Sequence, residues 1–526
     1  MECAVGSLSS SKSKSHWTEL LPTFNSRQWQ SGGNKDASPV SWKALHKQSP
    51  WLKLLKRHQQ IGTEAIVSTD GFAALFAQRT GKTWVTGAVL EVERLTSLDV
   101  LLVGPLTNLE STWLKFFREK LPHFTVFRNL KDYVAHRKHT GPLSIPHDHC
   151  VLLQNFEQIT PILKKLRKIK WDRGIVDEAQ RIKNRTSRSS RDLGLLAGSC
   201  RKRLALTGTP MDLDPKDLWA IMRFVEPQVF GTVWKDFGEE FLEEPKLNMK
   251  VRGQIAKQKE MLRYQIAKRK APMKEDMLEE YADRCSPHVM RISKEDAGIE
   301  TAKVHYVRFD LDPQEAANYK QLEKKMLIKV KGQTIKAPLK IVQIGKLQQI
   351  TGGHIKDENG EVHRIGTTKR RMLRAQIKEH VEDGERFVVF CKYVFEVHMI
   401  ARMLRRMGVG RVGELWGKVK DKKLEKVRTN MLLDFQKGEY DAMVCQQRTG
   451  GVGVDLYRAR KFFVYSMGHS FIDWDQMVSR GDFLEQDEPA DFFVLVVRKS
   501  IDADIVVCHK KKRSISETFY GRLKRQ

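Results

Sequence analysis

Four short apolar runs set the strongest limit on the fold. VLLV (100–103), VLLQ (151–154), GIVDE (174–178) and LALTGTP (204–210) alternate with stretches of helical spacing. Each is followed by polar residues, glycine or proline. Runs this short and this apolar read as strands buried on both faces, as in parallel sheets, with functional loops at their carboxyl ends. The alternation returns in FVVF (387–390), DAMVC (441–445), FFVY (462–465) and FFVLVV (492–497). Between the two sets, from about residue 228 to 300, Lys-, Glu- and Met-rich stretches such as KVRGQIAKQKEMLRYQIAKRKAPMKEDMLEEY read as helices. The chain therefore reads as an α/β unit, a helical insertion and a second α/β unit. The expected boundaries are a loose Ser- and Lys-rich tail over 1–46, a first unit over 47–228, and the insertion over 229–300. A helical and linker stretch over 301–380 then leads into a second unit over 381–526.

Charge points to a partner. The 526 residues hold 93 Lys and Arg against 64 Asp and Glu, a formal charge of +29. A surplus that large fits a polyanion, most often nucleic acid. No basic amphipathic anchor for a membrane surface stands out, and no apolar run approaches the roughly 18 residues of a spanning helix. The N-terminal MECAVGSLSSSKSKSH lacks the apolar core of a signal peptide. The seven cysteines are scattered without a C-x-x-C pair, which fits a reducing compartment and argues against a disulfide framework or zinc finger. HDHC (147–150) offers metal-ligating types but no second cluster completes a site, so it reads as a loop.

The chemistry starts at LFAQRTGKTW (75–84). Gly81, Lys82 and Thr83 fit the end of the phosphate-loop pattern G-x-x-x-x-G-K-[ST], but Phe76 stands where its first glycine belongs. Val85, Ala88, Val89 and Val92 follow at helical spacing, so the loop opens a helix, as a phosphate cradle requires. A nucleotide site also needs one carboxylate to hold magnesium and another to activate water. Asp177 and Glu178 supply both just after the apolar Ile175 and Val176.

These residues resemble a known family. IVDEAQRIKN (175–184) resembles motif II of superfamily-two helicases of the Swi/Snf branch, usually D-E-A-H-R-x-K-N, with Gln180 in place of the histidine. LTGTP (206–210) resembles motif III, DLWAIMRFVEP (217–227) the segment that follows it, and LLVGPLTNLESTW (101–113) motif Ia. HQQIGTEAI (58–66) resembles the upstream glutamine motif, and LLQNFEQI (152–159) a segment of short phage and bacterial members. Those members often read M-R-T-G-K-T in motif I, close to QRTGKT here. Downstream, RFVVFCKY (386–393), LWG (415–417), LLDFQKGEYDAMVCQQRTGGVGVDL (432–456) and MGHSFIDWDQMVSRGDFLEQ (467–486) resemble motif IV, the G-loop, motif V and motif VI. SIDADI (500–505) resembles the closing helix, so the likeness runs from about residue 50 to 526 in the family's order.

The resemblance implies two tandem RecA-like parallel-sheet lobes in an α/β chain, with ATP and Mg2+ in the inter-lobe cleft. Gln59 would read adenine, and Thr80, Gly81, Lys82 and Thr83 would cradle phosphate. Thr83 and Asp177 would hold the metal, Glu178 would orient water, Gln180 would bridge to motif III or VI, and Gly453 and Asp455 would line the cleft. Arg480 would reach the transferring phosphate. Pro105, Thr107, Thr209 and Arg448 match positions that track a nucleic-acid backbone. RKIK (167–170), KRKAPMK (268–274) and HKKKR (509–513) suit phosphate contacts. Motif VI departs from its usual Q-x-x-x-R-x-x-R-x-G-Q. Gln476, Arg480 and Gln486 match, but Phe483 takes the second arginine position and Glu485 the glycine position. The expectation is a monomeric, DNA-stimulated ATPase that translocates on duplex DNA in the cytoplasm, at the nucleoid of a bacterial or phage-infected cell, with a nuclear location left open, and without membrane attachment. A hydrolysis-impaired clamp and an RNA helicase are the alternatives.

Overall fold

The structure, a computed structural model, describes residues 40–94, 98–140, 148–208, 215–244, 258, 260–261, 271–325, 327–330, 333–336, 340–417, 422–447, 456, 458–481 and 488–511. It divides into two units, Met1–Ala297 and Gly298–Gln526.

In the first unit seven strands form one sheet: β1 (Gly71–Phe76), β2 (Asp99–Gly104), β3 (Phe124–Phe127), β4 (His149–Asn155), β5 (Trp171–Val176), β6 (Cys200–Thr207) and β7 (Val289–Ile292). Their order is β3-β4-β2-β5-β6-β1-β7, and every pairing is parallel. Of the four apolar runs read from sequence, VLLV and VLLQ lie in β2 and β4, while GIVDE and LALTGTP begin in β5 and β6 and run past their ends, Thr209 and Pro210 lying outside the described residues. Strands β1 and β4 are buried along their whole length, as a sheet covered by helices on both faces demands. Two strands fall outside the runs. β1, GFAALF, opens on a glycine and carries two alanines, so it lacks the β-branched signal that Val and Ile give β2 and β5. Its Gly71 is needed for close approach, because a Cβ there would lie 2.1 Å from the Val225 carbonyl oxygen. β7 lies in the stretch read as helical insertion, after the helices Trp234–Phe241 and Leu278–Cys285, and pairs with β1. Most of the Lys- and Met-rich stretch from 245 to 270 lies outside the described residues.

The second unit opens with β8 (Lys303–Phe309), then two antiparallel hairpins, β9 (Leu327–Val330) with β10 (Gln333–Lys336) and β11 (His354–Lys356) with β12 (Val362–Arg364). β13 (Phe387–Cys391), β14 (Val412–Leu415), β15 (Ala442–Gln446), β16 (Lys461–Val464) and β17 (Asp491–Val497) follow. The large sheet runs β14-β15-β13-β16-β17-β8, again all parallel. The runs FVVF, DAMVC, FFVY and FFVLVV fall in or across β13, β15, β16 and β17. β8 sits in the stretch read as helix and linker. Only its last residue is buried, and an edge strand of that kind gives a weak apolar signal. The chain thus carries two parallel-sheet α/β units, the RecA-like pair that the resemblance implies.

HDHC is not simply a loop. His149 and Cys150 open β4 and are buried, since the apolar run after them carries the strand back to include them. Asp148 accepts from Arg137 Nη1 at 2.9 Å and lies 3.1 Å from the His136 ring. The six described cysteines are buried, and none is in a disulfide.

Two buried histidines, His354 and His509, set an acid limit on the second unit, each with its pKa pushed by burial down to about 4. His509 is 5% exposed and stacks on Trp474 with ring centroids 5.3 Å apart. Burial pushes its pKa from 6.5 down to about 4. The unfolded chain therefore takes up this proton first. The stability is complete above the unfolded value and is lost as pH falls towards the folded one. At ~1.4 kcal/mol per pKa unit, the full loss for His509 is on the order of 3 to 4 kcal/mol. Denaturant midpoints of the native chain should fall between neutral and acid pH, and His509→Gln should flatten that slope; an unchanged slope in the variant contradicts the assignment.

Candidate active site

Strands β5, β6 and β1 are neighbours in the first sheet, so their carboxyl ends lie side by side. β1 delivers the phosphate-loop candidate. Phe76 is its last residue and is buried. A Cβ on Gly62, in the helix Arg57–Val67, would lie 3.0 Å from the Phe76 ring. Phe76 is therefore a strand residue packed into the core, and the turn starts one residue later, at Ala77. The tightening falls instead on two left-handed positions, Arg79 (φ 70) and Gly81 (φ 89). Gly81 is required by space as well, since a Cβ there would sit 2.0 Å from Gln59 Nε2. The helix Lys82–Glu93 starts directly after it, with the unpaired N–H groups of its first turn at the loop.

Lys82, half-buried, donates from Nζ to the carbonyls of Phe76 and Ala77, each at 3.1 Å. Thr80 is buried and donates from Oγ1 to Ala77 O at 2.8 Å. The Thr80 carbonyl accepts from Gln59 Nε2 at 3.1 Å and lies 2.9 Å from His58 Nε2. Burial lowers the His58 pKa. The other end of the Gln59 amide accepts from the Lys56 N–H at 2.9 Å. Gln59 thus ties the loop to the preceding helix through both ends of its amide. Thr83 is half-buried, one residue into the helix.

β5 delivers the carboxylates. The Asp177 N–H donates to Val103 O at 2.8 Å, so the ladder with β2 continues past the strand end. Asp177 is 6% exposed. Its Oδ2 accepts from Trp113 Nε1 at 3.0 Å and Asn108 Nδ2 at 3.3 Å, and its Oδ1 from the Glu178 N–H at 2.9 Å. Burial pushes its pKa up to about 6, with the Glu178 charge second, while the Trp113 and Asn108 bonds and the Lys82 charge oppose the shift. A carboxylate in that position gains from a nearby cation. Glu178 has φ 54, a left-handed conformation that costs a non-glycine residue about 1 kcal/mol or more.

Gln180 joins two strand ends. It is buried, donates from Nε2 to Glu178 Oε2, and accepts at Oε1 from Thr207 Oγ1 at 2.8 Å. Beyond Thr207, a Cβ on Gly208 would lie 3.0 Å from Lys82 Nζ, so the end of β6 closes on the lysine. The structure therefore brings together Gln59, Thr80, Gly81, Lys82, Asp177, Glu178 and Gln180. An ammonium, a helix N-terminus, a hydroxyl in its first turn and two carboxylates form a donor set that fits a nucleoside triphosphate with a divalent cation.

Sequence reasoning missed the roles of Asn108 and Trp113. Asn108 precedes and Trp113 ends a π-helical turn over Leu109–Trp113, and both side chains reach Asp177. Trp113 had a signal in its register with motif Ia; Asn108 had none. Pro105 is buried and caps the short helix Leu106–Asn108, and Thr107 is half-buried with its carbonyl accepting from Ser111 Oγ at 2.8 Å. Thr209, Arg448, Gly453, Asp455, Phe483, Glu485 and Gln486 lie outside the described residues.

In the second unit Arg480 follows the helix Phe471–Val478, is 8% exposed, and donates its N–H to Met477 O at 3.2 Å. Its charge opposes the burial-driven rise of the Cys445 pKa. Gln476 is half-buried in that helix. The ends of β13, β15 and β16 are cross-linked by polar groups that sequence reasoning did not single out. Gln446 Nε2 donates to Lys392 O at 3.1 Å, the Lys392 N–H to Ser466 Oγ at 2.7 Å, and Lys392 Nζ lies 2.8 Å from His469 Nε2. Of the basic clusters, Lys274 is absorbed structurally, donating to Glu239 O at 3.0 Å and Glu240 O at 2.7 Å. Among the described residues no helix is long and apolar enough to cross a membrane.

Chromatin-remodeling ATPase INO80 of Lodderomyces elongisporus is 36% identical over 139 residues, 25% of this chain and 9% of that protein. The proteins of the same name from Candida albicans and Saccharomyces cerevisiae are 35% and 32% identical over the same length. The match thus spans about a tenth of these relatives. Among solved structures, the Sulfolobus solfataricus SWI2/SNF2 ATPase core in complex with dsDNA is 20% identical, with 89% of this chain and 93% of that one covered at a TM-score of 0.36. The core domain from the same organism is 22% identical, with 88% and 89% covered at a TM-score of 0.37. The family model described as SNF2-related domain matches residues 12–354, more than half of the sequence, and the chain belongs to that family.

Proposed function

We propose that this chain is an ATP-hydrolysing motor that works on duplex DNA. The observation that carries the reading is the joining of Lys82, Asp177, Glu178, Gln180 and Thr207 at adjacent strand ends. Lys82 would exchange the Phe76 and Ala77 carbonyls for phosphate oxygens. Thr83 and Asp177 would hold Mg2+, whose chemistry is to neutralise charge on the transferring phosphate. Glu178 would orient the attacking water, and Arg480 completes the catalytic set of this reading. Gln180 would report the state of Glu178 to Thr207 and so to the loop after β6. The positions Pro105, Thr107, Thr209 and Arg448 are proposed as backbone contacts, and the +29 charge supports a polyanionic track. The names of the yeast relatives speak of chromatin remodelling, which is consistent with duplex DNA as the substrate.

ATP turnover measured without nucleic acid and with duplex DNA, single-stranded DNA or RNA tests the reading. The largest stimulation should come from duplex DNA. Stimulation by RNA alone would replace the reading with an RNA helicase.

One sequence observation favours a second reading, an ATP-gated clamp that hydrolyses slowly. Phe483 stands where the family pattern has its second arginine. An arginine finger is worth about 10³ to 10⁵ in rate. If Arg480 already serves, Phe483→Arg should change DNA-stimulated turnover only a few-fold. A gain approaching the full arginine-finger factor, with nucleotide affinity unchanged, would establish the clamp instead.

A further inference from the structure

The second unit holds a cavity of about 230 Å³ between the helices Thr368–His380 and Val394–Arg406. Five arginines line it: Arg364, Arg370, Arg374, Arg402 and Arg406. No acidic residue lines it. Among the described residues, none of the five has an ion-pair partner. The same helices also carry arginines that are neutralised. Arg371 pairs with Asp312 at 2.5 Å and Arg405 with Glu414 at 2.7 Å. Carboxylates are therefore within reach of these helices, but on other faces.

The arrangement works against stability. Arg370 with Arg374, and Arg402 with Arg406, are like-charge pairs one helical turn apart, and such pairs repel. Guanidinium groups stay charged at any working pH, so no proton loss relieves the repulsion. An anion seated among them would neutralise this concentration, and four of the five, Arg364, Arg374, Arg402 and Arg406, are exposed and so open to one. The cavity wall between the arginines is made by Met399 and Met403 of the second helix and Met407, which caps its C-terminus, spaced four apart. Thioether side chains give an adaptable apolar floor beneath the charged rim. A duplex backbone spreads its charges along a line, whereas five guanidiniums around one small concavity focus on a compact anion.

We propose that this cavity binds a small molecule carrying two or more clustered phosphate groups, at a site separate from Lys82. The proposal goes beyond the ATPase reading and does not depend on it. The test uses the full chain with Lys82→Ala, so that the first-unit site does not contribute, and inorganic tripolyphosphate as the probe. Calorimetric titration should give saturable one-site binding, and inorganic monophosphate should bind more weakly. Adding Arg374→Gln and Arg402→Gln should weaken tripolyphosphate binding at least tenfold. Both changes remove repulsion, so the fold should persist, and circular dichroism checks that it does. Adding Arg371→Gln and Arg405→Gln removes the same charge from the paired arginines and should leave binding nearly unchanged. Absence of saturable binding, or equal weakening by both pairs of substitutions, would overturn the proposal. So would a loss of duplex-DNA affinity in the Arg374 and Arg402 variant with tripolyphosphate binding intact.

Discussion

Lys82→Ala should abolish ATP turnover, a fall of at least about a thousandfold. It should do so without unfolding the chain. Lys82 is the first residue of its helix, half-buried on the loop, and belongs to none of the hydrophobic clusters. Alanine is the better helix former, so the helix start is not weakened. What is lost is the ammonium beside the end of β6 and near Asp177. A steady-state ATPase assay beside a thermal melt separates the two effects. Lost turnover with a melting temperature within a few degrees of native is the expected pair of results. Native-like turnover in the variant would mean that phosphate is held elsewhere.

Glu178→Gln should slow turnover by about 10² to 10⁴ while nucleotide still binds, because a general base is removed and a phosphate ligand is not. Glutamine preserves the local geometry. Its side-chain oxygen can still accept from Gln180 Nε2, and it tolerates the left-handed backbone as the glutamate does. A second readout follows from the electrostatics. The Glu178 charge is one cause of the raised Asp177 pKa, so removing it lets Asp177 ionise at lower pH. The acid limb of nucleotide binding should move down in pH in the variant. A variant that hydrolyses at the native rate would show that Glu178 does not orient the water.

The sequence made the sheets legible where strands are both apolar and β-branched. β2, β4 and β5 stand out for that reason and β6 by its apolar Leu204–Leu206 run before LTGTP, whereas β1 hides behind Gly71 and two alanines. β7 and β8 hide among charged neighbours, and only partner strands identify them. The site was legible where chemistry fixes residue type and spacing, as in Gly81, Lys82, Asp177 and Glu178. It was not legible where distant segments converge. Trp113 and Asn108 reach Asp177 across more than sixty residues through a local π turn. The arginine cavity is drawn from residues 364 to 406, which in sequence look like two ordinary basic helices. Phe76 shows the same lesson in reverse. A mismatch in the motif is explained by Gly62, from another helix, which leaves room for its ring.

The central claim is that the first-unit loop and its carboxylates hold a nucleoside triphosphate with a divalent cation. Calorimetric titration of the native chain with a nonhydrolysable ATP analogue in the presence of Mg2+ tests it directly. One equivalent should bind, with affinity falling sharply in Lys82→Ala and in Asp177→Asn. No uptake at millimolar analogue, or uptake indifferent to both substitutions, would contradict the account.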